Sequence, residues 1–248
     1  MPFTFSHPAI VLPLNYLPKK WISLTGLIIG SLTPDFEYFI RMKVQSDHSH
    51  TLFGLLWFDL PLGILLAFIF HNIVKSNLFE NLPKSLKSRL LNFKNFNWNN
   101  HFKIHWLVIS ISIIVGAFSH ILWDSFTHQH GYFVEKITAL SNNANILGLK
   151  VPIFKILQHS STIIGGFVIL HTLLKLPVID NKHKKIDYKY WSILTIITLT
   201  IILIRLFSGL NYKLYGHLIA TGISAGIIGL ILTPILTRKT GGNTVYKT

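Results

Sequence analysis

The sequence predicts an all-α polytopic transmembrane bundle of five or six spans, and three observations carry that expectation. Half of the residues are hydrophobic and 13% are charged, against about 25% charged in soluble domains. Five apolar runs, at about 53–74, 105–126, 161–178, 191–208 and 217–236, each approach the roughly 20 residues that a hydrocarbon core requires. The Lys and Arg residues gather in alternate gaps between those runs, as in a chain that orients itself across a membrane.

The elements follow in order. The opening "MPFTFSHPAIVLPLNYLPKK" has no basic leader and no small-residue cleavage site, and prolines break its apolar stretch. It is therefore expected to stay in the mature protein. "WISLTGLIIGSLTP", from Trp21, is too short to cross alone. It either re-enters or continues through "DFEYFI", with Pro34 kinking or ending it, which sets the choice between five and six spans. Residues 1–240 are expected to form one integral membrane domain without internal repeats, and 241–248 a disordered tail.

Charge sets the orientation. The loop 75–104 carries Lys75, Lys84, Lys87, Arg89, Lys94 and Lys103. The loop 179–190 adds Lys182, Lys184, Lys185 and Lys189, and the C-terminal segment adds Arg238, Lys239 and Lys247. These thirteen alternate with four in the gaps 127–160 (Lys136, Lys150, Lys155) and 209–216 (Lys213). The first group belongs in the cytoplasm together with the C-terminus. A net charge of +14 distributed in this way serves orientation and does not form an aromatic-interleaved patch, so nucleic acid is excluded as a partner. The lack of cysteine excludes disulfides and thiolate metal sites.

This topology brings four polar clusters to the non-cytoplasmic face. They are "SHP" with His7, "PDFEYF" with Asp35 and Glu37, "DHSHT" with Asp47, His48 and His50, and "SHILWDSFTH" with His120, Asp124 and His128. His120, Asp124 and His128 recur every four residues, so they share one helical face. Ionisable groups at the end of an apolar helix are costly to place and need a reason. Imidazole and carboxylate are the ligands that zinc, manganese or iron accept in the absence of thiolates. The residues thus suggest one or two divalent ions, best matched by zinc, on His7, Asp35, His48, His50, His120 and Asp124. Asp35, Glu37 and His128 are the catalytic candidates, and His159 is placed behind the ligands.

Plainer readings exist for each residue. Asp35 after Pro34 also suits a helix start, and "DHSHT" also suits a solvated loop. Isolated histidines such as His71, His105, His171, His183 and His217 are expected to be interfacial or hydrogen-bonded. Only the convergence of several clusters on one face favours a metal.

"MPFTFSHPAIVLPL", "GLIIGSLTPDFEYF", "HTLFGLLWFDLPLG", "GAFSHILWDSFTH" and "VPIFKILQHSSTIIGG" together resemble the domain of unknown function 4184 family of bacterial integral membrane proteins. More distantly, the PD, HSHT and SHxxxD pieces are similar to the membrane-bound metal-dependent hydrolases. That resemblance implies motif roles for Asp35, His50, His120 and Asp124, with His7 as an addition. The chain departs from it where "HRGxTHS" becomes "DHSHT", without the arginine and glycine.

The expected function is a metal-dependent hydrolase acting on a phosphoester, or an anionic lipid of the surrounding bilayer. Arg41 and Lys43 are placed to attract such a head group. The alternatives are a transporter of metal ions or protons, and a non-catalytic protein whose His/Asp cluster is structural. Transport needs ionisable groups strung through the membrane, whereas hydrolysis needs one cluster at one depth. On this topology, a reporter fused after Lys239 is active in the cytoplasm, and one inserted in 127–160 is active outside. The opposite pattern contradicts the orientation.

Overall fold

The computed structural model describes residues 3–179, 186–211 and 213–237. Lys182, His183, Lys184, Lys185, Arg238, Lys239, Lys247 and the expected tail 241–248 lie outside them. Single helical turns at Thr4–Ser6, Pro8–Val11 and Leu12–Tyr16 open the chain. Two short helices follow, α1 (Leu24–Gly30) and α2 (Thr33–Arg41). Five helices are long and apolar enough to cross a membrane: α3 (Leu55–Asn81), α4 (Trp98–Asp124), α5 (Ile153–Lys175), α6 (Tyr188–Phe207) and α7 (Tyr215–Thr237). The fold is a multi-pass helical membrane bundle.

Local chemistry explains the boundaries. Ser23 caps α1 by accepting from the Gly26 amide (3.2 Å), and Asn97 caps α4 by accepting from the Asn100 amide (3.0 Å). Pro34 sits in the first turn of α2, where its missing N–H costs nothing. The segment after Trp21 is therefore broken ahead of Pro34, at Ser31 and Leu32, into two helices. At about 1.5 Å per residue neither α1 nor α2 approaches the roughly 30 Å of a bilayer core. α2 ends at Met42, whose φ of 49° turns the chain out of the helix.

The gap 127–160 contains structure that the sequence pattern did not announce. Strands β1 (Asn143–Ile146) and β2 (Leu149–Pro152) pair antiparallel through a two-residue turn at Leu147 and Gly148, both at positive φ. α5 then starts at Ile153, earlier than the apolar run from 161. The two strands are too short for alternation to show against that background.

Long-range hydrogen bonds define two ends of the bundle. At one end, the Val44 amide donates to His217 Nδ1 (3.2 Å) and Ser224 Oγ to the Phe39 carbonyl (2.6 Å). At the other, Trp191 Nε1 donates to the Asn81 carbonyl (2.9 Å) and Arg89 Nε to the Leu174 carbonyl (3.0 Å). The core between them is built on Ala67, Trp98, Ile109 and Ile113, all buried. Outward faces remain apolar, as in Ile163 and Phe167 of α5 or Ile196 and Leu203 of α6. That inversion of the soluble pattern is what a lipid solvent permits.

Small residues let α1 lie directly on α4. A Cβ on Gly30 would stand 2.1 Å from the Ile113 carbonyl oxygen, and one on Gly116 would stand 2.4 Å from that of Leu27. Gly30→Ala and Gly116→Ala are each expected to lower stability by about 1–3 kcal/mol. Gly166→Ala, which meets nothing within 4 Å, should stay within about 0.5 kcal/mol. Thermal melting in detergent checks this; equal melting temperatures for all three contradict the close packing.

Candidate metal centre

The site end of α4 carries His120 and Asp124, one turn apart and both buried. His120 Nδ1 lies 2.8 Å from the Ser31 carbonyl oxygen, in the break between α1 and α2. A carbonyl only accepts, so Nδ1 carries a hydrogen and His120 turns Nε2 to the interior. That nitrogen faces two carboxylates. Asp35 Oδ1 is 3.5 Å away and Asp124 Oδ2 is 3.3 Å away.

Three more histidines close on the same carboxylates. His50 Nε2 stands 3.6 Å from Asp35 Oδ1 and 3.7 Å from Asp124 Oδ2, while its Nδ1 is held by the hydroxyls of Ser46 and Ser49. His7 stacks its ring on His120 (centroids 3.6 Å, 13°) and points Nε2 at Asp124 Oδ1, 3.5 Å away. His128 approaches Asp124 Oδ2 through Nδ1 at 3.6 Å. Asp35 keeps Oδ1 for this space because its Oδ2 accepts a short hydrogen bond from the Thr4 hydroxyl.

These separations are too long for hydrogen bonds, which fall at about 2.7–3.2 Å. They suit a different arrangement, since ligand atoms at about 2.0–2.1 Å from a tetrahedral zinc lie about 3.3 Å apart. Four ligand atoms, one each from Asp35, His50, His120 and Asp124, all lie within 4.8 Å of one another. Among the described residues, Nε2 of His7, His50 and His120, Oδ1 of Asp35 and both oxygens of Asp124 are buried without a hydrogen-bond partner. Buried polar atoms seldom stay unpaired, so this group could hold a metal ion.

Electrostatics agree where the groups lie outside the spans. Burial, with the neighbouring His120 adding, pushes the His7 imidazole down to about 3, so it is neutral and able to ligate. Burial alone would raise the Asp35 carboxyl, but the adjoining His120 outweighs it and holds Asp35 below its usual range. Burial lowers His128.

The other expected residues stand apart. His48 is exposed, with its ring against Trp57. His159 is exposed and lines a separate cavity with Phe3, Thr4 and Tyr38. Glu37 frames the loop: it accepts from the amides of Asp47, His48 and Ser49 at 2.9–3.0 Å, from Ser46 Oγ at 3.1 Å, and pairs with Arg41 at 2.8 Å. Burial would raise its carboxyl, but the backbone donors dominate and bring it down to about 2. Both Glu37 oxygens are engaged there. Arg41, paired also with Asp47 at 2.8 Å, is likewise engaged.

Sequence reasoning missed the supports Thr4, Ser31, Ser46 and Ser49, which carry no metal-ligand signature. It also missed Asp59, fully buried with neither carboxylate oxygen hydrogen-bonded among the described residues. Its signal was legible, since Asp59 is the lone acid in the first apolar run.

Residues 1–235 match the model of a family described as a domain of unknown function, DUF4184, and the chain belongs to that family. No curated protein and no solved structure matches it. None of these findings shows kinship with the metal-dependent hydrolases.

Because Glu37 satisfies three amides of the loop that carries His50, Glu37→Ala leaves them without their acceptor. The expected cost is about 1–3 kcal/mol of stability. Melting curves measure it. An unchanged melting temperature contradicts the framing role.

Proposed function

We propose that this protein is a metal-dependent hydrolase of phosphoester bonds, with its centre on the non-cytoplasmic side of the membrane. The observation that supports it most directly is the set of buried, unpaired nitrogen and oxygen atoms spaced 3.3–3.7 Å apart. A buried pair of carboxylates is expensive without a cation between them. Zinc is the ion that best suits three imidazoles and two carboxylates on a chain without cysteine.

In this reading His7, His50, His120, Asp35 and Asp124 hold one or two ions. The two oxygens of Asp124 face different histidines, His7 from Oδ1 and His120 and His50 from Oδ2. A metal held there would supply a water of lowered pKa and polarise the phosphoester. Asp35, steadied by Thr4, is placed to orient the attacking water and take its proton. As the water oxygen joins phosphorus and the bond from phosphorus to the alcohol oxygen breaks, the proton taken by Asp35 passes to the departing oxygen, with His128 as its carrier. Clustering at one depth favours this fixed centre over a path for a permeant ion.

The test compares wild type, Asp35→Asn and His120→Ala for metal content and for turnover of bis(p-nitrophenyl) phosphate with zinc supplied. Wild type is expected to hold zinc and to turn over. His120→Ala loses the ion, and Asp35→Asn keeps at least one ion while losing about 10²–10⁴-fold in rate. Full turnover by Asp35→Asn removes Asp35 from the mechanism. A metal-free wild type whose melting temperature ignores chelator overturns the centre itself.

A further inference from the structure

A cavity of about 310 Å³ runs between the N-terminal turns and α5, and its lining is largely apolar. His7 and Trp123 stand in its wall, one a member of the metal cluster and the other next to Asp124 in the chain. From there it follows Leu157, Ile164 and Val168 along α5, with Ile10 opposite. The eleven-residue separation from Leu157 to Val168 corresponds to about 16 Å of helix. That is close to half of a hydrocarbon core about 30 Å thick, the depth of a single leaflet. Gly165 closes the floor, since a Cβ there would meet the Ser6 carbonyl oxygen at 2.8 Å. Neighbouring Ile163 and Phe167 are 60% and 67% exposed, so the groove lies on a face turned towards lipid.

Resting on the hydrolase reading, we infer that the substrate is a bilayer glycerophospholipid. One acyl chain lies in the groove along α5, and the phosphoester reaches the metal cluster past His7. The occupant follows from the shape: an apolar channel one leaflet deep, open to the membrane, ending at buried groups suited to a phosphate-bound metal. A soluble phosphoester has no use for the channel, and a simple hydrocarbon has none for its polar end.

The test uses the purified full chain in phosphatidylglycerol vesicles containing a trace of phosphatidylglycerol with a diazirine in one acyl chain. After irradiation, labelled peptides are mapped by mass spectrometry, with Trp123 and the segment 7–10 as reporters because neither belongs to α5. Ile164→Trp and Val168→Trp fill the groove and are expected to cut reporter labelling about tenfold, equivalent to about 1.4 kcal/mol of binding. Ile163→Trp, on the same helix outside the groove, leaves it unchanged. A diazirine diacylglycerol, which lacks the phosphate, is expected to label the reporters about tenfold less. Reporter labelling that ignores the groove variants, or is equal for the two lipids, overturns the proposal and leaves a crevice wetted by bulk lipid. The readout needs no turnover. Hydrolysis of bis(p-nitrophenyl) phosphate without groove labelling refutes the lipid and spares the hydrolase; labelling without hydrolysis does the reverse.

Discussion

The contact between His120 Nδ1 and the Ser31 carbonyl organises the rest of the site. It ties α4 to the break between α1 and α2, fixes a hydrogen on Nδ1, and aims Nε2 at Asp35 and Asp124. The contact exists only because α1 lies against α4, through Gly30 and Gly116. The same break lets α2 restart at Pro34 and turn Asp35 inward. A chain that crossed straight through 21–40 would carry Asp35 to another depth. The break at Ser31 and Leu32 is thus a condition of the site.

Around that contact, Asp35 and His50 are likewise positioned through atoms that do not face the cluster. Thr4 occupies the outer oxygen of Asp35, Ser46 and Ser49 occupy Nδ1 of His50, and Glu37 gathers the amides of their loop. Such supports orient imidazoles and carboxylates and leave one lone pair of each for an ion. In a bilayer this matters more than in water, because an uncompensated carboxylate near the hydrocarbon region has no solvent to fall back on. The N-terminal turns take part as well. They deliver His7 and Thr4 and form one wall of the groove along α5.

Much of this was legible in the sequence. Five apolar runs separated by basic gaps specify the bundle, because length and charge in lipid leave few alternatives. His120 and Asp124 were readable as neighbours from their i, i+4 spacing, and His7, Asp35 and His50 from their chemistry and common face. What could not be read depends on backbone direction. In "DHSHT" nothing in the residue types distinguishes His50, which turns inward, from His48, which lies against Trp57. Glu37 looked like a second catalytic acid because its partners are backbone amides, which have no signature. Thr4 and Ser31 act through a hydroxyl and a carbonyl that any sequence offers. The hairpin 143–152 is held by backbone pairing and a left-handed turn, with too few residues for a pattern.

The central claim is that the buried histidines and aspartates are ligands of one centre and not a hydrogen-bonded knot. X-ray absorption at the zinc edge of the purified protein tests it most directly. A nitrogen and oxygen shell at about 2.0–2.1 Å with imidazole scattering behind it is the expected result, lost when His120 is replaced by alanine. A spectrum of hydrated zinc alone, the same in wild type and in His120→Ala, would contradict the account.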